Sequence, residues 1–209
     1  MKYVVSAVLA FFFGAVPFAY IVGRVVRHID IREYGSKNPG AGNVFHLISV
    51  KAGLTALAGD MFKGMAALMI IHYLYGFNPT LLTYYGLVAV FGHVYSPFLN
   101  FRGGRGAATT LGDFLYILWV AMRFKLILIL FLVAIPWAIA LYITHSQVVS
   151  LAFAFPFFPV YLWFFTHDLS FVIATIIFMF ILELFGIKSL KREWKVAYSK
   201  YVKRFFEKK

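Results

Sequence analysis

Long apolar runs, broken by short segments rich in glycine, arginine and asparagine, dominate the chain from its first residues. A helix that crosses a bilayer needs roughly 20 predominantly apolar residues in succession. Runs of about that length recur at 3–25, 54–75, 80–98, 107–122, 126–143, 148–165 and 169–185. The fourth is short for a span, and is expected to be little tilted or re-entrant. Several connections hold only a few residues, which makes neighbouring helices antiparallel. No internal repeat, low-complexity stretch or linker divides the chain. The expected fold is therefore all-α: a polytopic membrane helix bundle over residues 1–187, followed by a tail at 188–209. The first run continues past Pro17, beyond the apolar core of a signal peptide, and is expected to remain as an uncleaved helix.

Composition agrees with lipid as the solvent. Hydrophobic residues make up 62%, aromatic residues 20% and charged residues only 13% of the 209 residues, where soluble domains carry about a quarter charged residues. Twenty Lys+Arg against eight Asp+Glu leave a formal net charge of +12. On a soluble protein that balance would suggest nucleic acid. Here the cations crowd into loops and the tail, which points to anionic lipid headgroups and phosphorylated substrates instead. With an odd number of spans, Arg24, Arg27, Arg32, Lys37, Lys51, Arg102, Arg105 and the basic tail fall on one side, leaving Lys2, Arg123 and Lys125 on the other. The positive-inside rule makes loop one and the C-terminus cytoplasmic. In the tail, Leu190, Trp194, Ala197, Tyr201 and Phe205 recur at helical spacing between cations, the pattern of an amphipathic helix on an anionic leaflet or of a solvated tail that enforces topology. The chain holds no cysteine, so disulfides, thiolate metal sites and a cysteine nucleophile are excluded.

In so apolar a bundle the polar clusters carry the chemistry. The first is loop one, Asp30-Ile-Arg-Glu-Tyr-Gly-Ser-Lys-Asn-Pro-Gly-Ala-Gly-Asn43. Gly35, Gly40 and Gly42 permit the backbone turns in which N–H groups converge on an anion. Ser36, Asn38 and Asn43 add polar side chains, and Lys37 and His46 add charge. The second cluster runs from Gly92 and His93 to Thr110, with Gly103, Gly104 and Gly106 bracketing Arg105 just before the fourth span. A helix start favours anions, and arginine offers a planar fork for phosphate oxygens. No Gly-x4-Gly-Lys-[Ser/Thr] occurs, so nucleotide hydrolysis has no support. The third is Asp60 and Lys63 inside the second span, three residues apart and able to pair. A structural ion pair accounts for them; Lys63 is also expected to lend charge to the phosphate region through water or a local rearrangement. His72, His145 and His167 near helix ends need no special role, and no grouping has metal-ligand spacing. Asn78-Pro-Thr is closed to glycosylation by its proline.

These clusters, in this order, resemble the acyl-phosphate-dependent glycerol-3-phosphate acyltransferases of bacterial membranes. Gly14-Ala-Val-Pro-Phe-Ala-Tyr20 is similar to that family's Gly-Ser-x-Pro-Phe-Gly-Tyr, and loop one to its Gly-Ser-Gly-Asn-x-Gly-Ala-Thr-Asn. Asp60-Met-Phe-Lys-Gly64 resembles its Asp-x-x-Lys-Gly. Gly92-His93 and Phe101-Arg-Gly-Gly-Arg-Gly106 resemble its Gly-His and Phe-Lys-Gly-Gly-Lys-Gly at unchanged spacing. The motifs cover about residues 10–115; beyond them only Ser150-Leu151 is suggestive.

The resemblance implies attack of the 1-hydroxyl of glycerol 3-phosphate on an acyl phosphate, giving lysophosphatidic acid and phosphate, with no cofactor and with a partner enzyme supplying the acyl phosphate. It implies a bacterial inner-membrane location. Catalytic roles would fall to Ser36, Arg105 and His93. Phosphate binding would fall to Gly35, Ser36, Asn38, Gly40, Asn43, His46, Lys63, Arg102, Gly103, Gly104, Arg105 and Gly106. Arg105 and the glycine turn would stabilise the charge that develops during transfer. Two candidates for the base stand open, His93 and an oxygen of the acyl phosphate itself; a covalent acyl-Ser36 route is a third option.

Some positions depart from the family pattern. Lys37 replaces glycine, Gly42 threonine and His46 arginine, while Arg102 and Arg105 replace lysines with a different donor geometry. The family's C-terminal His-Arg-x-Asn-Ile-x-Arg-Leu has no match; its best placement at 183–190 puts Glu183 and Gly186 where histidine and asparagine belong. Two rival classes remain: a transporter or flippase of a phosphorylated lipid, suggested by the intramembrane charges, and a non-catalytic relative that binds anionic lipid.

Overall fold

A computed structural model describes residues 1–144, Ser150 and residues 157–186, with the backbone alone at residues 124, 126, 127, 129 and 130. The expected tail helix at 188–209 lies outside the described residues. Every regular element among them is helical: α1 (Lys2–Ala15), α2 (Phe18–Arg27), α3 (Ala41–Leu47), α4 (Val50–Tyr75), α5 (Pro79–Val94), α6 (Ala107–Met122), α7 (Leu126–Thr144), α8 (Phe157–Thr166) and α9 (Leu169–Gly186). Among the described residues, three stretches are long and apolar enough to cross a membrane: Lys2–Arg27, Val50–Tyr75 and Leu169–Gly186. The chain divides into two compact units, Met1–Ala121 and Met122–Lys209.

The first unit corrects the sequence reading at two places. The run at 3–25, expected as one helix, breaks between α1 and α2. Proline disfavours helical geometry in the residue before it, and Val16 accordingly takes φ −59°, ψ 120°. The break leaves the carbonyls of Ala15 and Val16 without the amides an unbroken helix would supply. Both are capped by side chains from elsewhere: the Ser96 hydroxyl donates to Ala15 O at 2.6 Å and Lys63 Nζ to Val16 O at 2.6 Å. The second correction is α3, a short helix inside what reads as an irregular loop. Gly40 enters it in an extended conformation, and Ala41, Asn43 and Val44 on its inner face are buried. Val44 packs with Ala19, Val22, Ile31, Ala52 and Ala56, which anchors loop one to α2 and α4.

Helix ends follow ordinary capping chemistry. Ser49 accepts from Ala52 N at the start of α4, and Asn78 accepts from Leu81 N at the start of α5, with Pro79 in its first turn. Small residues set the closest crossings. A side chain at Gly92 would meet the Phe11 carbonyl, and one at Gly14 would meet the Ala89 carbonyl, so α1 and α5 touch through their backbones. α5 stops at Val94, short of the predicted 98, and the chain turns through a single 3-10 turn at Pro97–Leu99. α6 occupies the predicted 107–122.

In the second unit, the proline inside α7, Pro136, lies in an almost wholly apolar helix. His167 and Asp168 join α8 to α9. His167 leaves α8 with φ 51°, and Asp168 caps α9 by accepting from Phe171 N at 3.0 Å. Phe158 and Leu162 of α8 and Phe171, Val172, Ala174, Thr175, Phe178 and Met179 of α9 are buried.

Candidate active site

Loop one is held from beneath by one side chain. Asn43, buried on α3, donates through Nδ2 to the carbonyls of Ile31 (2.8 Å) and Tyr34 (3.1 Å), and its Oδ1 accepts from the Ser36 amide (3.0 Å). Both amide hydrogens are taken, so Asn43, expected among the phosphate contacts, serves the loop's own backbone. The loop amides are turned inward as well: Lys37 N donates to Tyr34 O, Gly40 N to Asn38 O, and Asn38 N faces Ser36 Oγ at 3.5 Å. The amides of Ser36, Lys37, Asn38 and Gly40 are thus spent within the loop, where an anion nest was expected, and the loop displays side chains. Ser36, Lys37 and His46 are exposed and Asn38 is half-buried. Gly35 has φ 57°, where a side chain would also collide with Asn43. Lys37 adopts the same left-handed φ of 57° without being glycine, a conformation that costs about 1–2 kcal/mol.

The base of the loop is an ion pair. Arg32 donates from Nε to Asp30 Oδ1 at 3.0 Å and from Nη2 to Oδ2 at 2.7 Å, and its backbone amide also reaches Oδ1. The guanidinium hydrogen bond holds the Asp30 carboxyl below the usual carboxylate range, against the opposing effect of burial. The pair is therefore ionised across the neutral range.

The second turn is shaped by residues 94–104. Phe101 N and Leu99 N both donate to Ser96 O, Gly103 N donates to Val94 O at 3.0 Å, and Asn100 and Phe101 take φ of 54° and 58°. Gly104 lies directly against His93 Nε2. Arg102 is exposed, Arg105 half-buried, and Gly104 and Gly106 buried. The first intrahelical bond of α6 runs from Thr110 N to Gly106 O, so the amides of residues 107–109 open the helix, as helix starts do.

Beneath this turn lies a buried polar network. Lys63 Nζ stands 2.7 Å from Asp60 Oδ1, 2.6 Å from Val16 O and 2.8 Å from His93 Nδ1. An ammonium has three protons, and three acceptors surround this one. Lys63, expected to lend charge to a phosphate, is held inside the bundle by two hydrogen bonds and an ion pair, as suits an ionisable group at membrane depth. With Lys63 as an ammonium, Nδ1 of His93 accepts from it, and the neutral ring then carries its hydrogen on Nε2, beside Gly104. Thr109 Oγ1 lies 3.3 Å from the same Nδ1.

The sequence reading passed over four members of this region. Ser96 and Thr109 are short hydroxyls whose partners become visible only once the Pro17 break and the α5–α6 packing are in place. Arg32 belongs to a quoted motif but had no role. Asp113, fully buried on α6 one turn beyond Thr109 and facing Gly64, has no hydrogen-bond partner at either oxygen among the described residues. A carboxylate inside an apolar span is itself the signal that would have flagged it. In the second unit, Glu183 is exposed on α9, and a side chain at Gly186 would meet none of the described residues.

A sequence model of the glycerol-3-phosphate acyltransferase family matches residues 4–193, well past the motif-bearing first half. A glycerol-3-phosphate acyltransferase of Fusobacterium nucleatum is 35% identical over 83% of this chain and 84% of its own. One from Geobacillus kaustophilus is 35% identical over 81% of each. The fold matches the crystal structure of an integral membrane glycerol 3-phosphate acyltransferase in its glycerol 3-phosphate form, with a TM-score of 0.77, 20% identity and 94% of each chain covered. The lysophosphatidic acid form gives a TM-score of 0.76 at 21% identity.

Proposed function

The chain belongs to the glycerol-3-phosphate acyltransferase family, and from that premise we propose that it transfers a fatty acyl group from acyl phosphate to the 1-hydroxyl of glycerol 3-phosphate. The observation that carries the site assignment is the turn ahead of α6, where Gly103 and Gly104 lie against His93 and the half-buried Arg105 follows at the start of the helix. Such a turn suits a phosphate, since helix-start amides and a guanidinium both favour negative charge. The acyl phosphate's phosphoryl group rests there, and Ser36, Asn38, Lys37 and His46 of loop one take the phosphate of glycerol 3-phosphate.

In the reaction the 1-hydroxyl oxygen attacks the acyl carbonyl carbon, the bond from that carbon to the phosphate oxygen breaks, and phosphate leaves with the electron pair. Arg105 opposes the charge that grows on the leaving group. The bare nitrogen of His93 faces Lys63, so His93 serves as a donor towards the turn, and the hydroxyl proton passes to an oxygen of the departing phosphate. The covalent route through Ser36 gains no adjacent base from the loop: among the described residues the hydroxyl faces the Asn38 amide at 3.5 Å. The enzyme works from the cytoplasmic face of a bacterial inner membrane, with a separate enzyme supplying acyl phosphate and with the tail at 188–209 lying on anionic lipid.

The test is release of phosphate from palmitoyl phosphate by purified protein, with and without glycerol 3-phosphate. Release that requires glycerol 3-phosphate and yields lysophosphatidic acid is the expected result. Folded protein that binds acyl phosphate without turnover would overturn it in favour of a binding role.

A further inference from the structure

We propose that Arg32 is a positioning residue that fixes loop one against the second turn, and so sets the rate of transfer between the substrates held by each. This rests on the acyl-transfer reading above. Arg32 is half-buried, and each of its three guanidinium nitrogens donates to an acceptor. Nε and Nη2 form the fork to Asp30 within loop one. Nη1 donates to the Leu99 carbonyl at 3.0 Å, sixty-seven residues away. That carbonyl also accepts from the Arg102 amide at 3.1 Å, so it belongs to the frame of the glycine turn itself. Above the plane, the Tyr20 ring centroid lies 5.1 Å from the Arg32 guanidinium carbon and 5.3 Å from that of Arg24. One side chain thus joins the first-span motif, loop one and the turn ahead of α6.

The chemistry makes that join matter. Acyl transfer needs the hydroxyl of one substrate within reach of the carbonyl carbon of the other, and a misplacement of about 1 Å costs on the order of a hundredfold in rate. Each phosphate is held by its own turn, so the separation of the two turns controls the approach without contributing to either binding step. Arginine suits this position because its planar fork pairs with a carboxylate while a third edge reaches a carbonyl; lysine offers a point charge with no fork.

Arg32→Lys keeps the charge and removes the fork. In the full-length protein in lipid, assayed with palmitoyl phosphate and glycerol 3-phosphate, it is expected to lower kcat about 10- to 100-fold. KM for each substrate should stay within about threefold, since neither turn loses its own contacts. Asp30→Asn, which leaves Arg32 intact and breaks the fork from the other side, should give the same split. The double variant should lose no more than the worse single one, because both act on one contact. Thermal unfolding of each variant sets the fraction of folded protein used to normalise kcat, and Asp30→Asn decides the matter where Arg32→Lys fails to fold. An unchanged kcat, a rise in KM alone, or additive losses in the double variant would overturn the proposal. Absence of transfer by the unaltered protein would instead overturn the acyl-transfer reading on which it rests.

Discussion

Loop one and the turn ahead of α6 are both rich in glycine and in cations, yet they handle their backbone in opposite ways. In loop one the amides of Ser36, Lys37 and Gly40 point back into the loop, and the loop is stapled by Asn43. What it offers outward is side chains. The second turn secures itself through Gly103 N and the Ser96 carbonyl, and then runs into the first turn of α6. What stands there is a helix start, opened by the bond from Thr110 N to Gly106 O, and the half-buried Arg105. Glycine content alone therefore does not identify an anion nest; where the amides point does. The difference also suits two substrates of unlike kind. Side chains that hold a polyol phosphate can discriminate its shape, whereas helix-start amides stabilise charge that grows on a leaving group.

The most severe way to test that division is Arg105→Ala. If the second turn stabilises the leaving phosphate, kcat should fall about 100- to 1,000-fold, the range for loss of one donor to a developing charge. Arg105→Lys, the residue type the family carries at this position, should restore most of it. A kcat within a few-fold of normal for the alanine variant would move the leaving group away from this turn.

Next in size is Asn43→Ala. It strips partners from the buried Ile31 carbonyl, the part-buried Tyr34 carbonyl and the Ser36 amide, and should destabilise the protein by about 2–4 kcal/mol, read from thermal unfolding in detergent. Activity should fall with the folded fraction and with the order of loop one. Unchanged stability with a raised KM for glycerol 3-phosphate would return Asn43 to the ligand and undo the contrast drawn above. Ser36→Ala should be milder for the fold and specific for the substrate: a loss of roughly 10- to 100-fold in kcat/KM, the worth of a hydrogen bond to a charged group, with the unfolding midpoint unmoved.

Much of the fold is legible in the sequence because lipid demands long apolar helices; α6 lies at the predicted 107–122 and α9 begins at the predicted Leu169. The family is legible as well, since it rests on several motifs in a fixed order. The functions of individual polar residues are less so. Nothing along the chain says that Lys63 is ringed by Asp60, Val16 and His93, because that ring depends on the Pro17 break freeing a carbonyl from a different helix. α3 is hidden by its Gly-Asn content, which favours a turn until burial of Val44 and Asn43 outweighs local propensity. The Arg32–Leu99 contact joins positions whose spacing carries no periodic signal. A sequence names the residue types available to a site, while the assignment of donors to acceptors is made by packing.

Lys37 gives the smallest effect and the finest test of the contrast between the two turns. Its φ of 57° lies where glycine is at home, and the family carries glycine at this position. Lys37→Gly relieves a cost of about 1–2 kcal/mol and gives back roughly 0.5–1 kcal/mol through the greater freedom of the unfolded chain. The variant should therefore be more stable by about 0.5–1 kcal/mol, an upward shift of a few degrees in the unfolding midpoint. A strained residue that persists at a site is a sign that its side chain contributes something there. If Lys37 supplies charge to the phosphate of glycerol 3-phosphate, the stabilised variant should show a raised KM for that substrate, steepest at low salt, with KM for acyl phosphate unmoved. A variant that is more stable and kinetically normal would show that loop one tolerates the strain without using it. The selectivity assigned to loop one would then rest on Ser36, Asn38 and His46 alone.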